Sequence, residues 1–345
     1  MKIIDNGLAY KALALQVTCH AINQSRDRQE ARSLMQATIE RLGQQIATSL
    51  VFIGSDCRLV VLPEYFLTGF PMGESLEDWA EKACLDMVGA EYQALGNIAQ
   101  KYRIFLAGNA YEVDPHFPGL YFQTCFVLDP SGSVILRYRR LNSLFAPTPH
   151  DVWDRYLEQY GLDGIFPVAK TEIGHLAAVA SDEILFPEVA RCLAMHGAEV
   201  LIHPTSEVYG PRSPKEAAKI SRAVENMMYV VSANTAGIAN SSIPIASVDG
   251  GSKIVDYRGL VLAETGAGES MAAFAEVDLA ALRRYRRQPG LSNLLSRQRF
   301  EAYVDSYNHS QFYPSNTMLN GSVERKHFIQ TQLATIERLA ELGVI

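Results

Sequence analysis

The chain has 345 residues, a hydrophobic content of 48% and a formal net charge of −7. That length can bury one large core or two modest ones, and the acidic balance argues against a nucleic-acid partner. No apolar stretch approaches the roughly 20 residues that cross a bilayer, and the N-terminus lacks the apolar run of a signal peptide. We therefore expect a cytoplasmic protein with no membrane partner.

The first 64 residues are typical of a strand–helix–strand unit. Residues 13–17 form an apolar run, apolar side chains recur at helical spacing from Met35 to Ile46, and a second apolar run follows at 59–62. This order predicts a parallel strand pair. Glu64 comes just after the second strand, where open α/β sheets place ligand sites.

The middle of the chain predicts further strands and two helices. Strands are expected at 104–108 and 176–179, with a hairpin around 129–132. A helix is expected over 187–196, because a proline opens it and a glycine follows it. The segment 213–216 (Ser-Pro-Lys-Glu) fits a capping box with proline in the first turn, so a second helix should begin there.

We predict one main domain over 1–280 and a C-terminal extension over 281–345. The short basic run at 283–287 is interpreted as a solvated helix face or linker. Residues 323–342 predict a terminal amphipathic helix, whose apolar face must pack on the domain or on a second subunit. The side chains of that face are Ile329, Leu333, Ile336 and Ala340.

The cysteines and histidines follow no metal-binding pattern. There is no CxxC, HxH or HExxH spacing, so we expect free, buried or partly buried thiols, no metal and no cofactor. The five cysteines are Cys19, Cys57, Cys84, Cys125 and Cys192.

Three short segments carry most of the functional signal. They are, in chain order, 60–71 (Val-Val-Leu-Pro-Glu-Tyr-Phe-Leu-Thr-Gly-Phe-Pro), 137–142 (Arg-Tyr-Arg-Arg-Leu-Asn) and 179–188 (Val-Ala-Ser-Asp-Glu-Ile-Leu-Phe-Pro-Glu). Together they resemble the Glu, Lys and Cys motifs of the nitrilase, or carbon–nitrogen hydrolase, superfamily. The resemblance implies three catalytic positions, of which Glu64 retains the general base, Arg140 stands at the lysine position and Ser181 stands at the nucleophilic cysteine position.

Further family-like pieces occur in the expected order between about residue 10 and about residue 280. They lie at 122–125, 128–132, 197–201, 222–226 and 251–256. The resemblance implies an α/β fold, a four-layer αββα sandwich of nitrilase type. It also implies a homodimer or larger homo-oligomer, because the superfamily commonly joins subunits through its helical layer.

The two replacements conflict with the family's thiol mechanism, in which Glu takes the thiol proton, Cys attacks an amide or nitrile carbon and Lys stabilises the oxyanion. A serine hydroxyl is far less acidic than a thiol, and proteins that use serine usually supply a histidine or lysine base. A guanidinium keeps the positive charge but does not release a proton. Its fork would suit a carboxylate, either Glu64, Glu183 or one on a ligand. Alternatively, Arg140 forms only an internal ion pair and Ser181 is only a turn residue.

The polar stretch over 142–166 is long enough to act as a lid or specificity element. It offers His150, Asp151, Asp154 and Glu158, of which we expect His150 to face solvent. We predict that Glu183, Glu158 and Asp151 bind the substrate.

Three functional interpretations remain open at the level of sequence. The first is a natural superfamily member that lacks the thiol mechanism, has altered amide or nitrile hydrolysis and binds a small carboxylate or amide, or serves as a scaffold or regulatory subunit. The second is a working amidase or nitrilase whose nucleophile was replaced deliberately, and the third is a hydrolase that uses Ser181. We rank them in that order, because a deliberate replacement of the nucleophile would not require the change at Arg140.

Overall fold

The computed structural model describes residues 9–207, 213–319 and 323–345. Within them the chain alternates strands and helices. The strands are β1 (Ala9–Ala14), β2 (Thr18–His20), β3 (Cys57–Val61), β4 (Leu85–Asp86), β5 (Phe105–Val113), β6 (Tyr121–Leu128), β7 (Val134–Arg139), β8 (Ala169–Thr171), β9 (Gly174–Ala178), β10 (Val200–Thr205), β11 (Tyr229–Asn234), β12 (Gly237–Ala239), β13 (Lys253–Val255), β14 (Val261–Glu264) and β15 (Phe274–Asp278). The helices are α1 (Arg28–Ile53), α2 (Leu76–Ala83), α3 (Ala90–Tyr102), α4 (Trp153–Tyr160), α5 (Pro187–Met195), α6 (Pro214–Asn226), α7 (Leu279–Arg287), α8 (Val304–Asn308) and α9 (Lys326–Glu341).

The opening unit has the predicted form. Asp27 caps α1 by accepting a hydrogen bond from the backbone N–H of Glu30 at 2.9 Å. The apolar residues from Met35 to Ile46 that recur at helical spacing are buried along one face of the helix. β1 and β3, which flank the helix in sequence, pair in parallel.

Two sheets carry the fold. The first has the order β15-β1-β3-β5-β6-β7 with β4 beside β5, and the second has the order β14-β13-β11-β10-β9-β8. Parallel pairs lie at the centre of both sheets, and antiparallel strands flank them. β6 and β7 form the hairpin predicted around 129–132. The parallel centres align the carboxyl ends of β3, β5, β9 and β10 in two neighbouring layers.

The sheets pack face to face between two helical layers. One apolar core joins residues of both sheets, among them Leu59 and Phe105 of the first and Leu201 and Val231 of the second. A second core lies between the first sheet and the helices α1 and α3, while α5 and α6 pack beside the second sheet. The αββα sandwich expected from the sequence is therefore confirmed. None of the helices in the described ranges combines the length and the apolar character that a membrane crossing requires.

The C-terminal extension is tied to the sandwich. Met318 and Phe328 are buried in the core beneath the first sheet. The backbone N–H of Met318 donates to the carbonyl of Asp151 at 2.9 Å, and Arg325 donates to the carbonyl of Phe145 at 2.7 Å. These contacts lay the extension across the connection between β7 and β8.

The terminal helix α9 does not pack on the sandwich through its predicted apolar face. Its buried residues are Phe328 and Leu339. The predicted stripe faces outward instead, with 40% exposure for Ile329, 54% for Leu333 and 40% for Ile336. A large apolar surface thus remains on the outside of the subunit.

Candidate functional site

Each of the three motif residues follows the end of a strand. Glu64 comes after β3 and Arg140 directly after β7, both in the first sheet, whereas Ser181 comes after β9 in the second. All three are buried, with exposures of 0%, 6% and 7% respectively. The site therefore lies at the carboxyl ends of strands from both sheets.

Glu64 is anchored through its backbone and presents its side chain to the site. Its N–H donates to the carbonyl of Thr205 at 3.3 Å, and its carbonyl accepts from the hydroxyl of Thr235 at 2.9 Å. Oε1 accepts a hydrogen bond from Gln123 Nε2 at 2.6 Å. Oε2 is buried and has no hydrogen-bond partner among the described residues. One carboxylate oxygen is therefore available to a ligand donor.

The guanidinium of Arg140 donates hydrogen bonds to several acceptors. Nη1 donates to Gln123 Oε1 at 2.9 Å and lies 3.7 Å from Glu64 Oε1, and Nε donates to the carbonyl of Asn142 at 2.6 Å. Nη2 forms an ion pair with Asp182. Arg140 clamps neither Glu64 nor Glu183 with two bonds, because its nitrogens are engaged with Gln123, Asn142 and Asp182. Of the alternatives considered, the internal ion pair is the one that forms.

Ser181 opens a 3₁₀ turn with a left-handed backbone conformation. Its φ of 51° is uncommon for a residue other than glycine and is typical of strained functional turns. The Nε2–H of His203 donates to the Ser181 carbonyl at 2.7 Å, and His203 Nδ1 lies 2.9 Å from the hydroxyl of Ser232. Burial holds the pKa of His203 well below its ordinary value, so the imidazole that supports the turn is neutral.

Lys215 is a member of the site that the sequence analysis missed. Its Nζ lies 3.2 Å from Ser181 Oγ and 3.3 Å from Thr205 Oγ1. Burial lowers the pKa of Lys215 below the usual lysine value, although the nearby Glu64 and Glu207 oppose that shift. A signal was present in the sequence: a lysine in the first turn of a helix is disfavoured by the helix dipole.

The capping box predicted for 213–216 does not form. Ser213 is the N-cap of α6 and Pro214 the first helical residue, but the Ser213 hydroxyl donates to Glu207 and accepts no hydrogen bond from a backbone N–H of the helix. The Glu216 carboxylate pairs with Lys219 at 2.6 Å and with Lys253. Residues 208–212, which join Glu207 to Ser213, lie outside the described residues.

A comparison with known proteins assigns the family. The model of the carbon–nitrogen hydrolase family matches residues 16–287. The chain belongs to this family. A curated relative, the omega-amidase Nit3 of Saccharomyces cerevisiae, is 28% identical over 253 residues, which cover 72% of this chain and 84% of the relative.

Solved structures of carbon–nitrogen hydrolases share the fold. The crystal structure of S. cerevisiae Nit3 matches with a TM-score of 0.63 and 24% identity, over 82% of this chain and 95% of that one. An amidase from Nesterenkonia sp. AN1 matches with a TM-score of 0.57 and 21% identity, over 86% of this chain and 99% of that one. Both place this chain in the nitrilase superfamily fold.

Glu183 supports the loop after β7 of this carbon–nitrogen hydrolase. Its Oε1 accepts the backbone N–H groups of Leu141 and Asn142 at 2.7 and 2.9 Å, and its Oε2 accepts the hydroxyl of Tyr138 at 2.9 Å. Burial raises the pKa of the Glu183 carboxyl. These contacts give Glu183 a structural role in place of the substrate-binding role that we predicted.

The remaining predicted ligand residues lie apart from these contacts. Asp151 Oδ2 accepts from the N–H and hydroxyl of Thr148 at 2.9 and 2.7 Å, and Oδ1 accepts from Thr317 at 2.6 Å. Asp151 therefore holds a turn and the C-terminal extension, rather than a ligand. Glu158 is exposed on α4, and its substrate-binding role stays a prediction. His150 is half-buried rather than solvent-facing, and burial lowers its pKa.

The thiols of this family member are poor nucleophiles. All five cysteines are free, as predicted, and four of them are buried. Burial raises the pKa of both Cys19 and Cys57 to about 12. Burial also raises the pKa of Cys125. The Sγ atom of Cys125 lies 3.5 Å from Asn109 Nδ2, and Asn109 accepts a hydrogen bond from Gln123, which in turn contacts Glu64. A thiol with a raised pKa carries little thiolate at neutral pH.

Proposed function

We propose that this carbon–nitrogen hydrolase binds a small primary amide in the site of Glu64, Arg140, Ser181 and Lys215, and that it does so without the family's thiol mechanism. The resemblance of the motifs puts Ser181 at the nucleophilic cysteine position and Arg140 at the lysine position. Replacement of both residues supports a natural variant over an enzyme with a deliberately exchanged nucleophile.

The observation that carries this proposal is the unpaired Oε2 atom of Glu64. A buried carboxylate oxygen without a partner is costly, and a ligand N–H would satisfy it. Lys215 Nζ offers N–H groups close by to an acceptor on the same ligand. A primary amide has an NH₂ group for Glu64 and a carbonyl oxygen for Lys215. A carboxylate has acceptors only and would meet Glu64 with like charge, so the charges favour the amide over the carboxylate that we also considered.

The names of related proteins support the same ligand class. The curated yeast relative is an omega-amidase. In a glutamate-to-leucine mutant of the Nesterenkonia amidase, the acetamide moiety of fluoroacetamide adds covalently at the active site cysteine. We expect the present protein to accept the amide group but to form no such thioether, because a hydroxyl stands at the position of the thiol.

The proposal is tested by thermal denaturation with a matched series of small ligands. Propionamide should raise the melting temperature, whereas propionate and propionitrile should raise it much less. A ligand present at 100 times its Kd stabilises the folded state by about 2.7 kcal/mol, which is readily measured.

A conservative variant identifies the binding atom. Glu64→Gln keeps the shape and the contact with Gln123, but it replaces the free oxygen by an NH₂ group that cannot accept a hydrogen bond. The propionamide shift should disappear in Glu64→Gln and persist in the control Glu40→Gln, which changes an exposed glutamate of α1. Equal shifts with propionate and propionamide, or an unchanged shift in Glu64→Gln, would contradict the proposal.

A further inference from the structure

Two side chains from different elements meet at the centre of the site. Ser181 is fixed by the left-handed turn after β9, and Lys215 projects from the first turn of α6. Their Oγ and Nζ atoms are 3.2 Å apart, which is the distance of a hydrogen bond. We propose that Ser181 and Lys215 form a serine–lysine catalytic pair that hydrolyses the bound amide. This inference rests on the amide site proposed above.

The surroundings of Lys215 lower the pKa of its amine, which makes the proton-accepting form easier to reach. Two positive charges, Arg140 and Lys219, face it, as do the two carboxylates Glu64 and Glu207. Burial and the positive end of the α6 dipole both act against its ammonium form. The neutral amine keeps a lone pair for the Ser181 proton and two N–H groups for a carbonyl oxygen. Lysines shifted in this way serve as general bases elsewhere in proteins.

The carboxylates near Ser181 are less suited to act as its base. Glu207 pairs with the buried Lys219 at 2.9 Å and also accepts from Ser213. Glu64 uses one oxygen on Gln123 and is matched to a thiol rather than to a hydroxyl. Among the described side chains that contact the Ser181 hydroxyl, Lys215 is the proton acceptor that serine chemistry requires.

The reaction is an acyl transfer in two stages. In the first, the Ser181 proton passes to Lys215 Nζ while Oγ bonds to the amide carbon, and the C=O electron pair moves to oxygen. The C–N bond then breaks, and the Lys215 ammonium returns its proton to the leaving nitrogen, so that ammonia departs and an ester remains on Ser181. In the second, water gives a proton to Lys215 and its oxygen bonds to the ester carbon. The bond to Oγ breaks, Oγ recovers the proton, and a carboxylic acid is released.

The experiment uses a serine-directed fluorophosphonate probe on the full chain, with the labelled peptide identified by mass spectrometry. Wild-type protein should become labelled at Ser181, at a rate that rises with pH as Lys215 loses its proton. Lys215→Met and Lys215→Arg should both label at least about a hundred-fold more slowly, which is the low end of the usual contribution of a general base. Arginine keeps the charge but does not release its proton, so this variant separates proton transfer from electrostatics. The exposed Lys170 provides the control, because Lys170→Met should label like the wild type.

Propionamide thermal shifts on the same samples separate the two proposals. A wild-type protein that binds propionamide but leaves Ser181 unlabelled would overturn the catalytic pair and leave the amide site intact. Labelling of Lys215→Arg at the wild-type rate would overturn the role of Lys215 as base. Lys215-dependent labelling of Ser181 without a propionamide shift would support the pair and contradict the amide site. Ammonia release that disappears in Ser181→Ala would extend the labelling result to turnover.

Discussion

At the scale of single residues, the chemistry of the site depends on which basic side chain contacts Ser181. Arg140 is engaged with Gln123, Asn142 and Asp182, whereas Lys215 lies 3.2 Å from the Ser181 hydroxyl. The basic side chain that contacts the nucleophile position therefore comes from a helix, and not from the strand on which the sequence motif places it. A thiol introduced at residue 181 would lie within reach of the same amine.

We predict that Ser181→Cys creates a reactive thiol without any change at Arg140. Lys215 can take the thiol proton, and the resulting ammonium together with Arg140 should lower the pKa of the new thiol. A decrease of about one unit from the usual value raises the thiolate fraction at pH 7 by somewhat less than ten-fold. Iodoacetamide labelling at neutral pH should be about ten-fold slower when Lys215→Met is added to Ser181→Cys. The wild-type protein measures the background of the native cysteines.

Addition of Arg140→Lys to Ser181→Cys is the informative comparison. If Lys215 is the cation that matters, the added lysine should change the labelling rate little. If Arg140→Lys greatly increased the labelling rate and Lys215→Met did not decrease it, the residue that activates the thiol would be the one at position 140 and not Lys215.

At the scale of elements, the loop after β7 depends on Glu183. This buried carboxylate accepts hydrogen bonds from the backbone N–H groups of Leu141 and Asn142 and from the hydroxyl of Tyr138. The same loop carries the carbonyl of Asn142, which accepts from Arg140 Nε. Glu183 thereby links the 3₁₀ turn that begins at Ser181 to the guanidinium across the site.

We predict that Glu183→Ala destabilises the protein by about 2–4 kcal/mol, because it leaves buried donors at Leu141 and Asn142 without an acceptor. Glu183→Gln should cost about 1 kcal/mol or less, since its carbonyl oxygen can accept both N–H groups and its NH₂ can donate to Tyr138. Urea denaturation of both variants measures the difference. The exposed Glu158→Gln serves as the surface control, with an expected change within about 0.5 kcal/mol. Equal losses for Ala and Gln would show that the charge itself, rather than the hydrogen bonds, holds the loop.

At the scale of the whole molecule, the C-terminal extension leaves an apolar face in solvent. α9 is held to the sandwich through Phe328 and Leu339, and its outer face exposes Ile329, Leu333 and Ile336. Apolar side chains at helical spacing on a well-anchored helix are typical of a subunit interface. Truncation before α9 would be a poor test of this surface, because it would also remove Phe328 from the core.

We propose a homodimer or larger homo-oligomer that buries this face, and predict that Leu333→Glu, with Ile336→Glu if needed, shifts the protein to a monomer. Light scattering at micromolar concentration measures the mass. Ala334→Glu is the matched control, because it adds the same charge at an exposed position of α9 outside the apolar stripe, and it should leave the mass unchanged. A monomeric wild-type protein under these conditions would refute the oligomer.

Sequence alone determined the layers of the fold and three positions of the site. The alternation of apolar runs and helical spacing is a local property, so the strand–helix–strand opening, the hairpin at 129–132 and the helix that begins at Pro187 were all predictable. The motifs placed Glu64, Arg140 and Ser181 at strand ends, and the parallel centres of two packed sheets bring such ends together.

Tertiary structure alone decided which groups meet at those ends. Lys215 lies 34 residues from Ser181 in the chain, and only the packing of α6 on the second sheet brings its Nζ to the hydroxyl. The same holds for Gln123 between Glu64 and Arg140, and for the carboxylate of Glu183 beneath the loop. Contacts of this kind depend on the distance between elements and on the direction of each side chain. Neither quantity is encoded in a local pattern. The sequence therefore predicted which residues end the strands, whereas the packing of the two sheets determined which side chains contact one another there.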